Sequence, residues 1–202
     1  MAQYQPQGFS ILPPAVKHLL IINALGYLAY YVCYSQRIID LNALLGLWNP
    51  DSGYFRLWQP LTYMFMHANF THLFFNMFAL WMFGNTMENF WGTRRFLTYY
   101  LACGLGAGLL TLLIPGTTLT VGASGAVYGL LLAFGMTFPN EYIYLYFLMP
   151  IKAKWFVIGY AALELIQGIF YSYDGVAHFA HLGGMLVGLL LILWWRRHPF
   201  RV

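Results

Sequence analysis

The chain has 202 residues, of which 60% are hydrophobic, 20% aromatic and only 8% charged. Soluble proteins average about 25% charged residues, so this composition excludes a soluble domain and points to one polytopic membrane domain. The formal net charge of +4 fits the Lys and Arg excess of cytoplasmic loops and says little about nucleic acid, which is not expected as a partner.

Residues 1–16 read as a short cytoplasmic tail, polar and punctuated by proline. Apart from Lys17 no basic region precedes the first apolar run, and no small-residue cleavage pattern follows it, so that run is a retained helix. Six apolar segments follow, at about 17–35, 70–87, 95–114, 124–139, 153–172 and 179–195. Together they predict an all-α bundle of six transmembrane helices over 17–197, with 198–202 as a short cytoplasmic tail. If the six alternate, Lys17, Arg94, Arg95, Lys152, Lys154, Arg196, Arg197 and Arg201 fall on one side and Arg37 and Arg56 on the other. That asymmetry places both termini in the cytoplasm. Cys33 and Cys103 both lie in apolar segments and are expected as buried free thiols.

The first outward connection, about 36–66, is long for a compact bundle. It carries Trp48, Tyr54, Phe55 and Trp58, rings that favour the headgroup zone, so the loop is expected to lie partly in the interface. His67-x4-His72-x3-Asn76 opens the second segment, with His72 and Asn76 on one helical face. Polar groups at that depth face the bundle interior or a cavity by default, where they either bond neighbouring helices or serve a site. A zinc site of the His-Glu-x-x-His type fails, because Leu73 and Asn76 stand where Glu and His are needed. No metal or other cofactor is expected. Glu88-Asn89-Phe90-Trp91-Gly92-Thr93-Arg94-Arg95-Phe96 reads as the short inward turn and a structural tie. Gly104, Gly106, Ala107 and Gly108 then let helix backbones approach closely in the third segment.

Thr120-Val121-Gly122-Ala123-Ser124-Gly125-Ala126-Val127-Tyr128-Gly129 opens an apolar run of about 15 residues, short of the roughly 20 needed to span a bilayer. The preceding stretch, 114–120, is loop-like and uncharged. A short helix entered through such a loop begins below the membrane surface, where irregular backbone survives only if buried in protein or reached by water. Ser124 is therefore expected to face a hydrated cavity. Taken alone, it is best read as a helix N-cap; a second group must give it any further role. Glu164, near the middle of the fifth segment, is an intramembrane carboxylate and a functional candidate by default, but the sequence assigns it no partner. The sixth segment opens Ala177-His178-Phe179-Ala180-His181-Leu182-Gly183-Gly184 and continues to Gly188. His181, Gly184 and Gly188 share a close-packing face near its outward end, which places His181 to act as a general base toward Ser124.

The ordered set His72-x3-Asn76, Gly122-x-Ser124-Gly125 and Ala180-His181-x2-Gly184-x3-Gly188 resembles the rhomboid family of intramembrane serine proteases. Tyr128 and Glu88-x3-Gly92-x2-Arg95-Phe96 match the family's habits as well, whereas Gln59 follows Trp58 where many members carry Trp-Arg. The resemblance implies a serine endopeptidase with a Ser124–His181 dyad and no third acidic member. Such an enzyme would cleave single-pass or polytopic transmembrane proteins near the outer end of a membrane helix. His72, Asn76 and the backbone at Gly122 and Ser124 would form its oxyanion hole. Tyr128 would pack on the His181 ring, His67 and His178 would orient loops or cavity water, and Gly184 and Gly188 would support the packing. The expected setting is a multi-pass protein of the cell (plasma or inner) membrane. The alternative is a non-catalytic rhomboid-like protein that binds membrane clients; relatives of that kind lack the serine or the histidine, and both are present here. An aspartyl protease would pair Tyr173-Asp174 with a Gly-x-Gly-Asp motif, which the sequence lacks.

Overall fold

Proline opens the first helix. Pro14 stands at the first helical position of α1 (Pro14–Ser35), where a missing N–H is no loss and the fixed φ suits the helix. The computed structural model describes residues 10–114, 119–145, 148–170 and 177–198, so Tyr171, Tyr173 and Asp174 lie outside the described residues. The first helix begins within the stretch expected as a tail, because Ala15, Val16 and Leu19 are buried against the bundle.

After α1 the long connection folds into short elements. These are α2 (Leu41–Leu45), strand β1 (Leu47–Trp48), a 3-10 turn at Pro50–Ser52, α3 (Gln59–Thr62) and a further 3-10 turn at Tyr63–Phe65. Gln59, the departure from Trp-Arg, is the hub of this loop. It is buried, accepts through Oε1 from the N–H groups of Trp48 and Arg56, and donates through Nε2 to the carbonyls of Leu44 and Tyr54. One amide side chain thus satisfies four backbone groups that an irregular segment would otherwise leave unpaired.

The second helical stretch runs as α4 (Phe70–Ala79), a π-helical turn (Leu80–Gly84) and α5 (Asn85–Trp91). Asn69 caps α4, its side chain accepting from the His72 N–H at 2.8 Å. This stretch reaches Trp91 instead of ending near residue 87, and the expected turn contracts to Gly92, whose φ of 79° reverses the chain. Glu88 is therefore helical. Its carboxylate folds under the start of α1, accepting from Ala15 N at 2.9 Å, Val16 N at 2.8 Å and Thr93 Oγ1 at 2.7 Å. A negative charge there satisfies orphan N–H groups and opposes the helix dipole, so the motif is indeed a structural tie.

α6 (Thr93–Leu112), strand β2 (Leu119–Thr120), α7 (Ser124–Thr137), the hairpin β3 (Tyr142–Leu145) and β4 (Met149–Lys152), α8 (Ala153–Phe170) and α9 (His178–Arg197) complete the order. β1 pairs antiparallel with β2, Leu47 opposite Thr120, which pins the loop before Ser124 to the first connection. α1, α6, α8 and α9 are each long and apolar enough to cross a membrane, and the protein is a helical integral membrane protein. α7, at 14 residues, is shorter, as its sequence predicts. α6, α7 and α9 pack together at the centre; Tyr99 of α6 donates to the Gly129 carbonyl of α7 at 2.8 Å, and Tyr63 of the preceding 3-10 turn donates to the Gly104 carbonyl of α6 at 2.6 Å. Cys33 and Cys103 carry no disulfide.

Candidate active site

Ser124 is the first residue of α7. Ala123 occupies the N-cap position and no side chain caps the helix, so the serine does not cap as it would in isolation. Its Oγ instead lies 2.9 Å from His181 Nε2, with the two residues 57 positions apart. Close packing of α7 on α9 makes that meeting possible. A Cβ on Gly184 would collide with the Gly125 carbonyl, so at this crossing the helices touch backbone to backbone. Gly188 gives the same clearance one turn on, against the Tyr99 hydroxyl.

Behind His181 stands Glu164, buried at 3% exposure on α8. Its Oε2 lies 2.9 Å from His181 Nδ1 and 2.7 Å from His178 Nδ1. Tyr128 donates its hydroxyl to Oε1. Tyr128 also stacks on the His181 imidazole, with centroids 4.3 Å apart and planes 5° from parallel. The partner that the sequence could not name for Glu164 is therefore a trio drawn from α7 and α9.

On the other side of Ser124, Gly122 has a φ of 129°, a conformation open in practice to glycine alone. A Cβ there would stand 2.7 Å from His72 Cε1, 2.8 Å from His72 Nε2 and 3.7 Å from Ser124 Oγ. The His72 ring edge and the serine hydroxyl thus flank one point over the Gly122 backbone. The Gly122 N–H donates to the Tyr63 carbonyl at 2.9 Å. Its bare α-carbon is what the site uses, as room for His72. First-turn N–H groups of α7 have no acceptor within the helix. Asn76, buried, donates to the His72 carbonyl at 2.9 Å, which steadies that face of α4.

His67 precedes α4, is fully buried, and packs edge-on to His72 with centroids 5.1 Å apart. Among the described residues neither of its ring nitrogens has a hydrogen-bond partner. Burial, and next the neighbouring His72, push its pKa down from 6.5 to about 3, so it is neutral. Two surface clefts, of about 540 and 290 Å³, are lined by Tyr34, Arg37 and Asp40 and by Trp91, Arg95 and Arg196. Neither includes Ser124, which is half-buried. The metal-ligating atoms of Glu164, His178 and His181 lie within 4.8 Å of one another, the one such group among the described residues.

A model of the Rhomboid domain matches residues 54–198. The chain is 36% identical over 151 residues to the chloroplastic Rhomboid-like protein 11 of Arabidopsis thaliana, covering 70% of this chain and 54% of that protein. It is 26% identical over 192 residues to the Rhomboid protease GlpG of Photorhabdus laumondii, covering 93% and 64% respectively. It is 32% identical over 133 residues to the mitochondrial Rhomboid protein 1 of Saccharomyces cerevisiae, covering 62% and 38%. The chain thus spans between about a third and two thirds of these relatives.

Proposed function

As the chain belongs to the rhomboid family, we propose that it is an intramembrane serine endopeptidase in which Ser124 is the nucleophile and His181 the general base. The observation that carries this reading is the 2.9 Å approach of Ser124 Oγ to His181 Nε2 at the start of a short helix. His181 Nε2 takes the hydroxyl proton as Oγ bonds to the scissile carbonyl carbon. The oxyanion so formed collapses, the C–N bond breaks, and His181 returns the proton to the leaving nitrogen. Water then attacks the acyl-enzyme while His181 accepts its proton, releasing the new carboxyl end and restoring Ser124.

Charge builds on the former carbonyl oxygen, and donors fixed beforehand at that point lower the barrier. The first-turn N–H groups of α7 and the His72 ring edge are suitably placed beside Ser124, and Asn76 keeps His72 and its helix face in register. The substrate is a transmembrane protein attacked near the outer end of its helix, with six spans in the enzyme and both termini in the cytoplasm. Arg95 and Arg196 sharing one cleft at the end opposite Ser124 favours that orientation.

The test is a fluorophosphonate probe on the purified full chain. Wild type is labelled, Ser124→Ala is not, and His181→Ala is labelled far more slowly. Because nucleophile and base act as a unit, the double variant should cut a membrane substrate hardly worse than either single one. A folded wild type that binds membrane proteins yet takes no label would favour the non-catalytic, client-binding alternative.

A further inference from the structure

We propose that Glu164 is the third member of a Ser124–His181–Glu164 triad, a positioning residue that fixes the tautomer and the orientation of the base. The inference rests on the serine-protease reading above.

The three groups lie in series. Ser124 Oγ contacts one nitrogen of the His181 ring at 2.9 Å, and Glu164 Oε2 contacts the other at 2.9 Å. A neutral imidazole has one N–H and one lone pair. To accept the serine proton it must keep the lone pair on Nε2, so Nδ1 must carry the hydrogen. A carboxylate oxygen facing Nδ1 selects that tautomer, because it can only accept there. With an apolar group at position 164 the Nε2–H tautomer becomes accessible, and in that form the base cannot receive a proton from Ser124.

The carboxylate is itself held. His178 Nδ1 reaches the same Oε2 at 2.7 Å, and the Tyr128 hydroxyl donates to Oε1. Three donors offset the cost of a carboxyl group 3% exposed within a membrane protein, and they fix its rotation. Tyr128 then closes one face of the His181 ring by stacking. When His181 takes the proton, the imidazolium forms next to a carboxylate that need not itself become protonated.

A metal ion is the competing use of the same atoms. Ligands on tetrahedral zinc, at about 2.0–2.1 Å from the ion, stand roughly 3.3 Å apart. The separations of 2.7 and 2.9 Å from Glu164 Oε2 to the two histidines are hydrogen-bond distances instead. The geometry favours protons between these groups.

The experiment measures kcat and KM of the full chain, in detergent and in bilayers, on a transmembrane substrate. Glu164→Leu, which removes the acceptor, is expected to lower kcat by about 10³–10⁴ with KM unchanged. Glu164→Gln can turn its amide NH2 toward Nδ1 and so favour the Nε2–H tautomer, and should lower kcat to a similar degree, up to about 10⁴. Glu164→Asp should recover part of the loss. In the Ser124→Ala background none of the three substitutions should change the residual rate, a non-additivity that a purely structural carboxylate would not produce. If Glu164→Leu does not fold, Glu164→Gln and Glu164→Asp carry the same comparison. Wild-type kcat in the Glu164 variants, with Ser124→Ala inactive, overturns the triad and leaves the serine protease standing. Full activity of Ser124→Ala overturns the protease reading itself. Stoichiometric metal in the purified protein, with activity lost on chelation and restored by zinc, assigns the cluster to an ion and overturns the positioning role.

Discussion

The Tyr128 ring lies flat on the His181 imidazole while its hydroxyl bonds the Glu164 carboxylate that contacts the imidazole at Nδ1. Tyr128 follows Ser124 by four residues, so both occupy one face of α7. A single helix thereby carries the proposed nucleophile and the surface against which its base rests, and any shift of α7 moves both together.

The two contacts of Tyr128 can be separated. Tyr128→Phe keeps the stacked ring and loses the hydroxyl, and should lower kcat by about 10-fold, near the value of one hydrogen bond to a charged group. Tyr128→Ala also frees one face of the imidazole, adding a stacking term of about 0.5–1.5 kcal/mol, so a loss of about 10² is expected. Rates of fluorophosphonate labelling for the two variants give the comparison. Equal losses would mean that the ring contributes nothing beyond carrying the hydroxyl.

The oxyanion side of the site should answer differently. Asn76→Ala should lower kcat by about 10²–10³ at most, with little change in KM, if its amide supports the transition state alone. Gly122→Ala should be worse than Asn76→Ala. It places a side chain at φ 129° and drives a methyl group into the His72 ring. Steady-state kinetics on a membrane substrate decide both. A large rise in KM with unchanged kcat in Asn76→Ala would move that residue to substrate positioning.

How far the site can be read in the sequence depends on whether one residue type announces its own chemistry. Ser124, His181 and the glycines of α9 do so only as a set: alone the serine reads as an N-cap, and it is the histidine on the small-residue face that gives it another use. Glu164 announces only that it is buried and needs donors. Those donors lie 36, 14 and 17 residues away, brought in by the packing of α7, α8 and α9, which no local pattern encodes. The same limit applies to Gly122, whose N–H goes to a carbonyl in the first connection, and to Gln59, whose four backbone partners are scattered over 44–56. In the fold, the six apolar segments mark the helices. The β3–β4 hairpin is hidden because its short strands carry no alternating pattern, and the reach of α5 is set by the reversal at Gly92 instead of by hydropathy.

His67 gives a prediction in pH. Its folded-state pKa is about 3, against 6.5 for the unperturbed group. Above pH 6.5 the folded and unfolded chains both hold it neutral. As pH falls below that value the unfolded chain takes up a proton that the folded chain refuses, so stability declines until about pH 3 and then levels off. The thermal midpoint in detergent should therefore fall between pH 7.5 and 4.5. His67→Leu should flatten that fall without removing the contributions of other groups. An identical slope in the variant would assign the acid sensitivity elsewhere.

The last prediction concerns substrate entry. A transmembrane helix hides its carbonyls in hydrogen bonds and cannot present an extended chain to Ser124. It must unwind locally, and in lipid the freed backbone groups find no water. Helix-breaking Gly or Pro in the substrate lowers that cost, so cleavage should rise when such residues lie near the cut. The segment must also arrive sideways from the bilayer, past a loosely held helix beside the site. α8, which carries Glu164, is that helix: its buried positions are Ala153, Val157, Glu164 and Gly168, whereas α9 buries residues along most of its length. At the end of α8, Ile169 is 58% and Phe170 74% exposed, so neither ring nor branch anchors that end to the core. Phe170→Ala should then leave the Ser124–His181 pair intact and speed cleavage of an embedded substrate several-fold. Turnover of a small soluble ester, which needs no lateral opening, should stay the same. The two substrates measured side by side on both proteins separate a gate from a change in the chemistry. Faster ester turnover without faster transmembrane cleavage would count against entry at α8, because a gate can only affect a substrate that must pass through it.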